Sequence, residues 1–351
     1  MPETQPTPTL QITRASAADF EELDAWTLAS PQSYFWHRPA WMRAVCKVFG
    51  TPDYTLIARA GGRIAGVLPM AECETLTLRH NLVSVPYGVY GGPAGDTNEI
   101  EIALVEEAKK IAKHEGVGCI ELRQRSQRVG GLAESDLYVT FERDLPAKPE
   151  DALLMLPRKA RAAARQGRDK FKLTFDEGLW FLDDFYRLFS QNKRHLGSPP
   201  LPREFFDILC EELKGNVFLH IVRHEVKPVA GVLSFSFRDT LLPYYSGGLA
   251  AYEPMQCNNF LYWKLMEWGV ERGFKRFDFG RSRLESGPYH FKKNQGFEPE
   301  RLHYAFHLVK SRRVPKFNPS NPAFDLPRKV WQRLPLPVHE WMGKHLSRYL
   351  T

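Results

Sequence analysis

Lys292, Asp278 and Tyr245 are the residues of this chain whose types and surroundings could do chemistry. Lys292 follows Phe291 in a polar stretch between Gly287-Pro288 and Gly296, which reads as a loop. A cation fixed there can stabilise a developing oxyanion and accommodate a departing oxygen. Asp278 lies between Phe277 and Phe279 in a short strand, so alternation turns it away from both rings. There a carboxylate can orient a base or hold an amine. Tyr244, Tyr245 and Ser246 add hydroxyls able to donate to a tetrahedral intermediate. Each has an ordinary alternative. Lys292 can be a surface lysine paired with Glu298 or Glu300. Asp278 can be a structural carboxylate bonded by Arg281 or by nearby backbone. Tyr245 can be a half-buried sheet aromatic.

A second feature is charge. Leu156–Lys172 (LPRKARAAARQGRDKFK) carries seven cations and the single acid Asp169, with alanines that favour a helix. Arg158, Arg161, Arg165 and Arg168 recur at three- and four-residue steps and form one stripe. Arginine forks on such a stripe suit a diphosphate or a tRNA backbone, and a solvated helix face is the plainer reading. Beyond Lys310 the chain is again basic, with only Asp325 and Glu340 as acids and with Trp331 and Trp341 interleaved. Such a segment either packs back over the protein, using its prolines for turns, or meets an anionic membrane surface.

Bulk properties narrow the classes. The 351 residues suffice for two domains, and 48 Lys/Arg against 41 Asp/Glu give a net charge of +7, which favours polyanionic partners. Five scattered cysteines without a CxxC suit a reducing cytoplasm and argue against a disulfide scaffold or a zinc site. The polar, Pro-rich MPETQPTPTL is no signal peptide, and no apolar run reaches a membrane span, so a cytoplasmic protein is expected. His195, His220, His224 and His290 show no metal spacing, and neither a nucleophile elbow nor a Walker loop occurs. No metal is expected.

The elements that must position these residues repeat. Tyr54–Met70 is a hairpin around Gly61-Gly62, whose glycines supply the positive φ of a tight primed turn. Val217–Phe237 is a second hairpin, and Ala65–Leu68 and Ala230–Leu233 share the sequence AGVL. A helix at Ile100–His114 ends at Gly116 before CIELR, and one at Asn259–Val270 ends at Gly273 before RFDFG. The latter is apolar on most sides and reads as core. Amphipathic helices at Phe181–Phe189 and Pro202–Leu213 lie between the halves. This order predicts a duplicated α/β sandwich.

Several segments together resemble the FemAB family of tandem acetyltransferase-like (GNAT) domains. They are Tyr244–Gly248, the helix Asn258–Gly273, Phe277–Gly280, Phe291-Lys292 with Gly296-Phe297, and FWHRPAWMRAVCKVFG near the N-terminus. The residues from Asn318 onward are similar to a branch associated with exosortase (PEP-CTERM) and exopolysaccharide systems. The resemblance implies an α/β (α+β) fold of two GNAT domains at 10–145 and 150–310, mixed sheets flanked by helices, and a basic extension at 311–351. It implies transfer of an acyl or aminoacyl group to an amine or hydroxyl of a cell-envelope precursor. No permanently bound cofactor is implied, and the donor is aminoacyl-tRNA or acyl-CoA. The acceptor is an anionic small molecule or a lipid- or nucleotide-linked one, with tRNA and a peripheral membrane surface as further partners. Lys292, Asp278 and Tyr245 then become catalytic candidates, and Arg158, Arg161, Arg165, Arg281 and Tyr289 substrate-binding ones. The family's long helical arm has no room between Asp176 and Val217. A glycine-rich pyrophosphate turn is also absent, its place being held by EPMQCNN (Glu253–Asn259). An acyl-CoA N-acyltransferase and a non-catalytic polyanion-binding scaffold remain the alternatives.

Overall fold

The computed structural model describes residues 10–76, 79–314 and 325–349. The first nine residues and NPSNPAF (318–324), the opening part of the tail that carries the branch resemblance, lie outside the described residues. The chain forms two compact units, 10–136 with 302–314 and Tyr349, and 137–301 with 325–348.

The first unit contains β1 (Leu10–Arg14), α1 (Phe20–Ala29), α2 (Pro39–Phe49), β2 (Leu56–Ala60), β3 (Arg63–Leu68), β4 (Met70–Glu74) and β5 (His80–Ser84). It continues with β6 (Ala94–Gly95), α3 (Asn98–Glu115), β7 (Cys119–Gln124) and β8 (Ala133–Ser135). The second unit runs from β9 (Tyr138–Asp144) through α4 (Arg158–Asp169), β10 (Thr174–Glu177), α5 (Leu182–Leu196) and α6 (Arg203–Glu212). Then come β11 (Val217–His224), β12 (Lys227–Phe237), β13 (Thr240–Gly248), α7 (Cys257–Glu271), β14 (Arg276–Asp278), β15 (Ser282–Arg283), α8 (Gly287–Asn294) and β16 (Pro299–Arg301). The chain re-enters the first unit as β17 (His303–Leu308), and α9 (Asp325–Gln332) and α10 (Leu336–Leu346) belong to the second.

Both expected hairpins are present, β2–β3 and β11–β12. Gly61 and Gly62 turn with φ of 58° and 82°, as a tight primed turn requires. Each unit then uses a helix to cross to a parallel strand: β5 beside β7 in the first, β13 beside β14 in the second. The duplicated plan is therefore visible in the pairing itself.

The expected boundaries at 145–150 and at 310 shift. β9 pairs with β14, β15 and β16, so the second unit begins at 137. β17 pairs with β7 and β8, so 302–314 return to the first unit. Backbone N–H and C=O groups must find partners, and these strands find theirs far along the chain.

In the second unit α7 buries Phe260, Leu261, Leu265 and Met266 on one face of the sheet, each fully buried apolar side chain contributing about 1.5–3 kcal/mol. α5 and α6 cover the other face through Phe185, Phe189, Phe205 and Phe206. The expected 311–351 extension is instead divided. Its α9 and α10 pack on α5 within the second unit. Among the described residues no helix is long and apolar enough to cross a membrane.

Candidate active site

β13 and β14 pair only at Thr240–Arg276 and Leu241–Phe277, after which the two parallel strands separate. The chain beyond β14 turns sharply at Gly280, whose φ of 66° suits glycine. Lys292 holds that turn. Its Nζ donates to the carbonyls of Phe279 at 2.7 Å, Gly280 at 3.0 Å and Arg281 at 3.0 Å. Three carbonyls occupy all three donors of an ammonium. Burial pushes Lys292 down to about 7, Asp278 opposes this and Arg281 adds to it. A neutral amine could donate to only two of the carbonyls, so this geometry belongs to the charged form.

Lys292 is not in a loop. It lies in α8, where the Ser286 hydroxyl accepts from the Tyr289 N–H and Pro288 occupies the first turn. Helix direction then carries Lys292 to the β14 turn and packs Tyr289 inward.

Asp278 is 3% exposed. Its Oδ1 accepts the Gly280 N–H at 2.8 Å and the Thr140 hydroxyl at 3.4 Å. Asp278 and Lys292 thus secure the same turn, one from its amide side and one from its carbonyl side. Arg281 contributes a carbonyl to Lys292, and its guanidinium lies 5.0 Å over the Tyr138 ring.

Tyr245 is placed elsewhere. Its ring meets Phe189 of α5 and Phe205 and Phe206 of α6. Lys292 instead lies near the Phe141 and Phe279 rings, toward the α7–α8 side. A bulge between Leu233 and Ser234 in the β12–β13 register inserts Tyr244 and sets which β13 side chains face each way. The expected grouping of Tyr245 with Lys292 and Asp278 is corrected accordingly. Tyr289 is 6% exposed and packs against Phe141, so it belongs to the core rather than to a substrate surface.

On the α7 face stands Ser246, hydrogen-bonded to Tyr262. Burial pushes the Tyr262 phenol up and the Ser246 hydroxyl opposes this. The Tyr262 ring lies 4.8 Å from that of Phe279 and 5.6 Å from that of Phe291, so this residue spans from β13 to β14 and α8. One turn earlier in α7, Asn259 accepts from Gln295 Nε2 at 2.7 Å and donates to Gln256 at 3.0 Å. Gln295 is 1% exposed, and its Oε1 has no hydrogen-bond partner among the described residues. Sequence reasoning took this helix as core alone and missed Asn259, Tyr262 and Gln295. The polar pair Asn258-Asn259 at the helix start and the glutamine before Gly296 were the available signals.

The EPMQCNN segment replaces a glycine turn by strain. Gln256 adopts φ 63° directly before α7, the left-handed geometry that glycine would take without cost. Cys257 opens the helix, but burial pushes its thiol up to about 11, so it is no thiolate nucleophile.

α4 forms as expected, with Ala160, Ala164 and Gly167 buried toward α7. A Cβ on Gly167 would lie 2.9 Å from Phe260 Cβ. Arg158, Arg165 and Arg168 are exposed. Arg161 is half-buried and donates to the Leu156 carbonyl at 3.2 Å. The start of α4 is tied to the end of α8: Arg143 donates to Met155 O at 2.9 Å and to Gly296 O at 3.2 Å. The stripe therefore begins beside the helix that carries Lys292. Among the described residues no group of three or more His, Cys, Asp or Glu could hold a metal ion.

Residues 155–293 match the family described as an acetyltransferase (GNAT) domain. Three solved structures share the fold at low identity. A crystal structure of FemX is 14% identical, covers 91% of this chain and 100% of its own, and superposes with a TM-score of 0.64. The C-terminal domain of a putative lysylphosphatidylglycerol synthetase from Agrobacterium fabrum is 14% identical, with 83% and 92% coverage and a TM-score of 0.56. A tandem GNAT protein from the clavulanic acid biosynthesis pathway is 13% identical, with 88% and 100% coverage and a TM-score of 0.54. No curated protein matches the chain in sequence. The fold is a mixed α/β tandem of GNAT-like domains.

Proposed function

We propose that the second unit transfers an acyl or aminoacyl group directly to an amine or hydroxyl of a cell-envelope or exopolysaccharide precursor. The observation that carries this reading is the separation of β13 from β14 beyond Leu241 and Phe277, with Ser246 and Tyr262 beside the opening. Where two parallel strands part, an opening forms in which a polarised carbonyl can lie against backbone donors. The acceptor's nitrogen or oxygen forms the new bond to the donor carbonyl carbon. The bond to the donor's leaving oxygen or sulfur breaks, and the acceptor proton goes to the departing group through the Ser246–Tyr262 hydroxyls. Lys292 and Asp278 hold the β14 turn that shapes this opening. The buried Cys257 thiol disfavours an acyl-enzyme there, and positioning of the two substrates supplies the rate.

The left-handed Gln256 favours a second donor reading. It starts α7 as a glycine turn would, and a helix N-terminus suits a pyrophosphate such as that of acyl-CoA. FemX and the lysylphosphatidylglycerol synthetase support the aminoacyl alternative by fold alone. The α4 arginines suit the phosphates of either donor, or of a nucleotide- or lipid-linked acceptor. A lipid-linked acceptor would bring the protein to the inner face of a membrane. The exosortase-associated branch rests on the resemblance of the chain's last residues.

Loss of the acyl group from aminoacyl-tRNA or acyl-CoA tests the proposal, with envelope-precursor extracts added as acceptor. Acceptor-dependent loss from one donor is expected and should fall with Tyr262→Phe. Tight polyanion binding without loss from either donor would favour the non-catalytic scaffold.

A further inference from the structure

α10 uses one face to grip the second unit. His339, Gly343 and Ser347, spaced at four residues, are buried. His339 Nε2 donates to the Ser190 carbonyl at 3.0 Å, and Gly343 lies against Pro200 so closely that a Cβ would sit 2.5 Å from its Cδ. Arg194 donates to the Leu334 carbonyl at 3.2 Å, and Gln332 donates to that of His195 at 2.8 Å. Both helices are thereby fixed on α5.

Their other faces are unusually apolar for a surface. Leu326 is 72% exposed, Val330 56%, Val338 42% and Trp341 66%. Leu326 and Val330 are one turn apart in α9, and Val338 and Trp341 one turn apart in α10, so each helix presents an apolar ridge. The exposed cations Lys329 and Lys344 lie in these helices and Arg333 directly follows α9, Lys344 standing 4.0 Å from the exposed Glu204. Glu340, an acid of these helices, is half-buried and acts on Tyr186 instead.

We propose that this outward face of α9 and α10 docks on an anionic lipid bilayer. Exposed aliphatic side chains and a tryptophan fit the boundary between acyl chains and headgroups, while flanking Lys and Arg reach the headgroup phosphates. The cations of this face outnumber the nearby acids even with Lys344 4.0 Å from Glu204, and a face of net positive charge repels its own copy, so a second molecule of this chain is the poorer occupant. Polyanions without acyl chains would leave the apolar ridges uncovered. With no helix able to span a bilayer among the described residues, attachment is to the surface. The surface draws its purpose from the proposed lipid-linked acceptor. Its test needs no turnover, so failure of either reading is seen separately.

The full chain is floated with vesicles of phosphatidylcholine alone and with vesicles of equal parts phosphatidylcholine and phosphatidylglycerol. Binding to the second only is expected, weakening as salt is raised. Trp341→Ser combined with Val330→Ser should lower partitioning about tenfold or more. Lys329→Glu combined with Arg333→Glu should remove it. Circular dichroism and melting temperature of both double variants should match the parent, because the altered side chains are exposed. No flotation with the anionic vesicles would overturn the proposal, as would flotation unchanged in both double variants. A concentration-dependent dimer abolished by Trp341→Ser would assign the face to a second copy instead.

Discussion

The Lys292 ammonium donates to the Phe279 carbonyl at 2.7 Å, and this contact joins α8 to the end of β14. With Gly280 and Arg281 also accepting, the lysine has no donor left for substrate in this arrangement. Lys292 is thus a positioning residue. Its removal should act on the shape of the opening beside β13 rather than on a transferred proton.

Substitution separates that role from simple charge. Lys292→Arg keeps the cation but replaces a compact tripod by a planar fork, which three converging carbonyls cannot all engage. Lys292→Arg and Lys292→Met are both expected to lower turnover by about a hundredfold, within the range for lost preorganisation. If Lys292→Arg retains near-parent turnover, charge is the essential property and the positioning role is wrong. Backbone amide exchange at 279–281 should rise in both variants.

The sequence disclosed this region unevenly, and the reasons are physical. Hairpins, helix ends and the 276–278 strand were readable because glycines and apolar periods act locally. The helical state of Lys292 was missed because Gly287-Pro288 resembles a loop, although Ser286 and a proline in the first turn also mark a helix start. The facing of Tyr245 depends on where Tyr244 bulges, which a count of alternating residues does not reveal. The pairing of β9 and β17 is long-range, and no local period announces it.

Ser246 and Tyr262 form the next test. Tyr262→Phe removes one hydroxyl from a side chain that is 9% exposed, keeping its packing against Phe279. Ser246→Ala removes the other. Each alone should reduce kcat about ten- to hundredfold if the hydroxyls pass the acceptor proton. The double variant should be little worse than either, since residues acting as a unit are not additive. Independent, multiplying losses would show that the two hydroxyls do not act together.

Gly247 predicts stability. A Cβ there would lie 2.5 Å from the Phe189 N and 2.6 Å from its Cα, both backbone atoms of α5. Neither can rotate away, so α5 must move off β13. Gly247→Ala should destabilise the fold by about 1–3 kcal/mol, the range for overpacking. A denaturation midpoint equal to that of the parent would refute so tight an approach.

Arg161 and Arg165 should govern binding more than chemistry. They stand on the α4 stripe, on a helix whose start is tied to Gly296 through Arg143. Replacing both by Ala should raise KM for a phosphate-bearing donor or acceptor while changing kcat little. The difference from the parent should shrink as salt screens the contacts. An unchanged KM at low salt would return the stripe to a solvated helix face.

His220 gives the pH dependence. It is fully buried, between the Phe175 ring at 4.8 Å and the Trp268 ring at 4.5 Å. Burial pushes its pKa down from 6.5 to about 3, with nearby Arg272 adding to the effect. Between those values the unfolded chain binds a proton that the folded chain refuses, so stability falls as pH falls through this window. One such histidine removes about 1.4 kcal/mol per pH unit once the unfolded form is protonated. His339, pushed down to about 4 chiefly by burial, acts in the same direction from α10. Unfolding free energies measured from pH 7 to pH 4 should therefore decline. His220→Phe preserves the stacking and has no proton to gain, so its decline should be shallower by about that amount per unit below pH 6. Parallel pH curves for parent and variant would show that His220 is not held neutral in the fold.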